Sequence, residues 1–192
     1  LEIRIIPITD EPIAEWRDGL ELGPNEIGEI VVRGPQVTRS YFNHIESTRL
    51  AKIAAGEQDC YHRMGDLGYL DERDRLWFCG RKSQRVITAS GTLYTIPCEA
   101  VFNTHPRVAR SALVGVPGDK GNILVLCVEP EAGVRKAEHA KIRQELLALG
   151  AQHAHTASIQ HILFHKGFPV DIRHNAKINR ERLALWAQRQ LP

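Results

Sequence analysis

The sequence predicts an α+β protein in two parts, a β-rich, barrel-like segment over residues 1–81 and a small mixed α+β domain over 82–192. Three observations predict it. Short apolar runs with two-residue alternation crowd the first eighty residues, separated by Gly, Pro and Asp clusters. Helical spacing of apolar residues is confined mainly to the later part, as in Ile142, Leu146 and Leu149. A change of character near Gly80 separates the two, and a chain of 192 residues accommodates either one large domain or two small ones.

Taken in order, Leu1, Ile3 and Ile5 alternate with polar neighbours and predict a half-buried first strand. Gly23-Pro24-Asn25-Glu26 is a turn, and Ile27–Arg33 is a strand stopped by Gly34-Pro35. Asn43 and Glu46 have the spacing of a capping box, which predicts a short helix through Ile53. Residues 59–63, 67–70 and 76–79 read as strands, with Gly65 and Asp71-Glu72-Arg73-Asp74 in the turns between them. Strands at such close spacing form either a small barrel or an antiparallel sheet. Beyond Gly80 come strands over 108–116, 123–128 and 159–164, a helix over 137–149, and a last helix over 178–190 anchored by Leu183, Leu185 and Trp186. This order fits a mixed domain of about a hundred residues.

Composition narrows the function. Lys and Arg total 25 against 23 Asp and Glu, so no broad basic surface for nucleic acid or anionic lipid is expected. No apolar run reaches the ~20 residues of a membrane-spanning helix. The absence of a basic segment followed by an apolar one speaks against a signal peptide. The chain opens on Leu1 inside a strand-like run, which reads as a piece of something longer. Cys60, Cys79, Cys98 and Cys127 lack paired metal spacing and read as reduced core residues, consistent with the cytoplasm. His153, His155, His161 and His165 lie close in sequence, but no cysteine or carboxylate near them completes a zinc set; they read as surface residues, and no metal ligand is assigned.

Three positions have side chains suited to a nucleotide. Asp66 follows a glycine, and an ionised carboxylate there accepts both hydroxyls of a ribose diol; alone, Gly65-Asp66 reads first as a common β-turn. Arg81 has donors for sugar hydroxyls or phosphate, or it is a surface arginine at a junction. Lys177 lies in a polar loop with Arg173, which runs into the last helix and its Arg180 and Arg182. A lysine there reaches phosphate or carboxylate oxygens, or the stretch is a solvated basic helix start.

In order, these pieces resemble the adenylate-forming superfamily of acyl-CoA synthetases, nonribosomal adenylation domains and luciferases. Gly28-Glu29-Ile30-Val31-Val32-Arg33-Gly34 through Tyr41 is similar to its glycine–glutamate strand and turn. Tyr61–Asp66 resembles its Y-x-T-G-D motif, with Met64 in place of threonine. Gly80-Arg81-Lys82-Ser83 resembles its hinge motif, Pro97-Cys98-Glu99 its P-x-E helix start, and His105-Pro106 with Val108 its H-P-x-V. Lys177 with Ile178 and Arg180 resembles its G-K-I-x-R ending. The resemblance covers nearly the whole chain. It implies that Asp66 and Arg81 hold the ribose of ATP and that Lys177 bridges the substrate carboxylate and the α-phosphate. It also implies that Lys82 and Ser83 form the hinge of a mobile C-terminal domain. ATP and Mg2+ would be used, the metal's ligands and the phosphate loop lying upstream of Leu1, so this stretch alone would be inactive.

Ser83, Ala176, the residues around Thr156 and a longer loop between Arg81 and Gly91 depart from the pattern and bear on thioester formation. The strings RMGDLGYLD, LWFCGRKSQRV, IPCEAVFNTHP and FPVDIRHNAKI resemble most the olefin-biosynthesis β-lactone synthetases. The implied substrate is a long-chain β-hydroxy acid, or a fatty acid if the chain belongs to a long-chain acyl-CoA ligase. Implied partners are the enzyme's own N-terminal domain and other olefin-biosynthesis enzymes. A non-catalytic α+β interaction module is the remaining alternative.

Overall fold

The computed structural model describes residues 1–119, 121–171 and 174–191, with residues 174–176 described through their backbone. Arg173 and Lys120 lie outside the described residues. The chain divides into two compact units, Leu1–Ser83 and Gln84–Pro192, and is α+β.

The first unit is built on an antiparallel sheet of β1 (Glu2–Ile6), β2 (Gly28–Arg33), β3 (Lys52–Ala54), β4 (Cys60–Leu70) and β5 (Leu76–Arg81). The order is β1-β2-β4-β3, with β5 paired to the same edge of β4 as β3. Among the described residues no pairing closes this sheet into a barrel; it is open. Ile6, Val31, Ile53 and Tyr61 form its core, and Trp16 stacks on Tyr61 at 4.1 Å between ring centroids.

In the first unit the predicted helix and the predicted turn at Gly65 both change. The short helix α1 is Ile45–Ala51, with His44 at its N-cap and no side-chain cap. Asn43 instead takes a positive φ of 56°, a conformation its short polar side chain tolerates. The helix stops before Ile53 because that side chain is buried by pairing with Tyr61 in the sheet. The strands predicted on either side of Gly65 are one continuous strand, β4. Between the pairs Glu29↔Leu67 and Val31↔Arg63, Ile30 alone faces the stretch from Met64 to Asp66, so the predicted turn is a bulge.

The second unit opens with a hairpin of β6 (Val86–Thr88) and β7 (Gly91–Leu93), then helix α2 (Thr95–Phe102). Strands β8 (Val108–Gly118) and β9 (Gly121–Pro130) follow, then α3 (His139–Ala151) and β10 (His161–Phe164). The sheet order is β10-β9-β8, with β10 parallel to β9. A small pair, β11 (Val170–Asp171) and β12 (His174–Ile178), precedes the last helix, α4 (Arg180–Gln188).

Both faces of the three-stranded sheet are covered, which explains the unbroken apolar runs of its strands. Leu113, Leu124, Leu126 and Val128 pack with Phe102, Ile142 and Leu146 on one face. Ala112, Val114, Val125 and Cys127 pack with Leu183 and Ala187 on the other. The anchor predicted at Leu185 is wrong: it is 58% exposed, because it stands two residues, about 200° of helical turn, from Leu183. Ala187, one turn on from Leu183, is buried in its place.

The four cysteines are free and buried. Burial pushes the Cys98 and Cys127 thiols up to about 12 and Cys79 to about 11, so these three are neutral packing groups near pH 7. No helix among the described residues is long and apolar enough to cross a membrane.

Candidate functional site

The sheet of the first unit brings Asp66 and Arg81 together. They are direct cross-strand partners in the β4–β5 pair. Each follows a glycine with positive φ, Gly65 at 65° and Gly80 at 121°, a backbone state in which a Cβ is strained. The turn between the strands is tied by Asp71, which accepts hydrogen bonds from the backbone N–H groups of Arg73 and Arg75 and from the Trp77 indole at 2.9 Å. The indole bond, with help from these other donors, holds the Asp71 carboxyl below the ordinary range.

Arg81 Nη1 stands 2.9 Å from Asp66 Oδ1, yet the oxygen is buried and has no aligned hydrogen-bond donor. The contact is therefore a charge pair that leaves the acceptor's lone pairs unfilled. A buried acceptor without a donor is costly, about 1–3 kcal/mol, and such sites call for a missing donor. The Asp66 side chain is 18% exposed and that of Arg81 is 52% exposed, so a ligand can reach the outer surface of both side chains, while Oδ1 itself is shielded from solvent until the pair opens. A ribose hydroxyl has the donor that Asp66 Oδ1 lacks, and the residues present fit an ATP sugar in this respect.

Lys82 is held within the first unit. Its ammonium donates to the Thr9 carbonyl at 3.0 Å and to Glu29 Oε2 at 3.2 Å. Ser83 is exposed, inside a 3-10 turn, Lys82–Gln84, at the junction of the units.

Lys177 is on strand β12 and is exposed, where a loop was expected. Its neighbours hold its backbone. Ile178 packs on the core around Leu183, and the Asn179 N–H donates to the Pro169 carbonyl at 2.8 Å. Asn179 caps α4, its side-chain oxygen accepting the Arg182 N–H at 3.0 Å. The four histidines do not gather at one point: the rings of His153 and His155 lie 5.8 Å apart, His155 faces the Pro97 carbonyl at 3.3 Å, and His165 packs edge-on to Trp186 at 4.6 Å. Among the described residues no group of three or more His, Cys, Asp and Glu side chains is placed to hold a metal.

Residues 98–170 match the family described as the AMP-binding enzyme C-terminal domain. Over 98% of its length the chain is 52% identical to the olefin β-lactone synthetase of Xanthomonas campestris, and over 99% it is 50% identical to that of Stenotrophomonas maltophilia. The chain belongs to the adenylate-forming superfamily. It spans about a third of the curated relatives it matches, 35% of each of these two. A 2-succinylbenzoate–CoA ligase from Bacillus cereus is 36% identical over 69% of the chain, which covers 27% of that protein. Among solved structures, ATP-bound MatB from Rhodopseudomonas palustris is similar at a TM-score of 0.74 and 25% identity, over 97% of this chain and 34% of that one. The o-succinylbenzoate CoA synthetase of Bacillus subtilis, in complex with its acyl-adenylate, is similar at 0.67 and 28%, over 95% of this chain and 33% of that one. The family stretch 98–170 contains Glu99 but none of Asp66, Arg81 and Lys177.

Sequence reading missed two buried ionic networks in this chain. In the first unit Arg63, 4% exposed, pairs with Glu29, 1% exposed, at 2.7 Å. The same guanidinium binds the carbonyls of Thr9, Glu11 and Leu50, and Lys82 shares Glu29. In the second unit Arg180 forms a two-pronged pair with Glu99, Nη1 to Oε1 at 2.5 Å and Nη2 to Oε2 at 2.9 Å. The motifs contained Glu29, Glu99 and Arg180, but sequence has no signal that says which distant charge each one meets.

Proposed function

We propose that this chain is the C-terminal portion of an ATP-dependent synthetase that activates a long-chain carboxylic acid as its acyl-AMP. In this reading residues 1–81 complete the large adenylating domain and 82–192 form a mobile lid, with Lys82 and Ser83 as the hinge. The observation that carries the nucleotide part is the buried, donorless Oδ1 of Asp66 beside the accessible Arg81 guanidinium.

Asp66 accepts the ribose hydroxyls, and Arg81 donates to the sugar or phosphate oxygens beside them. Lys177 presents its ammonium to the substrate carboxylate and the α-phosphate. A cation there stabilises the charge that builds as the carboxylate oxygen attacks phosphorus and pyrophosphate leaves. Mg2+ would screen the phosphate charges, with its ligands supplied from the segment upstream of Leu1. The tie between Lys82 and Glu29 keeps that residue with the first unit and leaves Ser83 as the pivot.

The substrate we favour is a long-chain β-hydroxy acid, because the two relatives that match nearly the whole chain are olefin β-lactone synthetases. Its β-hydroxyl oxygen bonds to the acyl carbon of the adenylate, the bond from that carbon to the phosphate oxygen breaks, the hydroxyl proton passes to solvent, and AMP leaves as the four-membered lactone closes. An internal nucleophile has an effective concentration of about 10⁵ M or more when well oriented, which offsets ring strain. No CoA takes part. Other olefin-biosynthesis enzymes are the expected partners, and a cytoplasmic setting accords with four unpaired cysteines.

The test is to incubate the full-length enzyme with ATP, Mg2+ and a long-chain β-hydroxy acid, with and without CoA, and to read products by mass spectrometry. A β-lactone with AMP, formed without CoA, is the expected result. Acyl-CoA formed only when CoA is present would replace the lactone reading with that of a fatty acyl-CoA ligase.

A further inference from the structure

We infer that Glu99 and Arg180 are a positioning pair that sets where Lys177 is presented, an inference that rests on the role proposed for that lysine. Lys177 is exposed, so little in its own side-chain surroundings decides its aim. Its placement is inherited from the backbone, and three residues later that backbone is clamped. Arg180 is the first residue of α4, and its guanidinium is engaged on every side. It forks onto both oxygens of Glu99, donates to the Leu113 carbonyl at 3.2 Å, and donates from Nε to Gln84 Oε1 at 3.2 Å.

Glu99 is fixed in turn. It is on α2, 6% exposed, and its Oε1 also accepts the Leu113 N–H at 2.8 Å. The clamp therefore joins the end of the Lys177 strand to helix α2, to the β8–β9 pair through Leu113, and to Gln84, the first residue of the second unit. Gln84 belongs to the turn that holds the proposed pivot. Any rotation imposed at Ser83 is thus passed to the end of β12 through a rigid fork rather than through a flexible loop.

Planar bidentate geometry is the reason for arginine here. A lysine retains the charge but cannot bind both carboxylate oxygens, Leu113 and Gln84 together. The pair makes no claim on the substrate itself; it acts through Lys177.

The experiment uses the full-length synthetase, assayed for acyl-adenylate formation by ATP–pyrophosphate exchange, with Arg180→Lys, Lys177→Ala and the double variant. Arg180→Lys is expected to lower kcat roughly ten-fold, with KM for ATP changed by less than about three-fold. In the Lys177→Ala background the same substitution is expected to add no further loss, because a positioning residue has nothing left to position. A wild-type kcat for Arg180→Lys, or losses that multiply in the double variant, would overturn the inference. Lys177→Ala at the wild-type rate would instead overturn the lysine reading and leave the pair with no task. If Arg180→Lys fails to fold, Glu99→Gln is read by hydrogen exchange. Faster exchange confined to residues 174–178 supports the clamp, and unchanged or chain-wide exchange counts against it.

Discussion

At the residue scale the most informative atom is Asp66 Oδ1, buried and close to a guanidinium yet without an aligned donor. Asp66 lies at the end of the bulge at 64–66, directly after Gly65 with its positive φ, and its cross-strand partner is Arg81. If a ribose hydroxyl donates to this carboxylate, removing the acceptor costs a charge-assisted hydrogen bond of about 1.5–3 kcal/mol, or roughly ten- to a hundred-fold. Asp66→Ala in the full-length enzyme is therefore expected to lower kcat/KM for ATP by that factor, measured by pyrophosphate release. A change under about two-fold would remove Asp66 from the nucleotide site. Gly65-Asp66 was legible as a motif in the sequence. Its pairing with Arg81 was not, since a β-turn there would have served local chemistry equally well.

At the element scale, strand β4 organises the first unit, and the Glu29–Arg63 pair locks it. Arg63 draws three carbonyls and a carboxylate into one buried network, joining the Thr9–Glu11 segment, α1 and β2 to β4. Neutralising one partner of such a pair leaves the other charge buried without compensation. Glu29→Gln is expected to destabilise the unit by about 3 kcal/mol, read as a lower urea midpoint with an unchanged slope. Because Lys82 also binds Glu29, the same change loosens the residue next to the proposed pivot. The helices show what periodicity can and cannot settle. It located α3 and α4, but the position of Leu185 on the outer face of α4 follows from which side of the sheet the helix covers.

At the scale of the whole molecule, two units with separate cores carry different parts of one proposed chemistry. Asp66 and Arg81 are in the first and Lys177 is in the second. The chain has no glycine-rich phosphate loop with Ser/Thr and Lys, and it spans only 35% of its β-lactone synthetase relatives. These 192 residues alone are expected to release no pyrophosphate from ATP and a fatty or β-hydroxy acid. Turnover above that of a Lys177→Ala control would show that the stretch contains a complete site.

The sequence by itself determined the α+β class, the longer strands and helices in their order, the unpaired cysteines and the motifs that place the chain in its superfamily. These depend on local chemistry: alternation for strands and helical spacing for helices. Tertiary structure decided the rest. It made the first sheet open where a barrel was considered, turned the Gly65 turn into a bulge, and put Lys177 on a strand. It also chose the partners of the buried charges, Glu29 with Arg63 across 34 residues and Glu99 with Arg180 across 81. A charged side chain is satisfied by any opposite charge in water. Only burial, where an unpaired charge is expensive, forces each to take one partner.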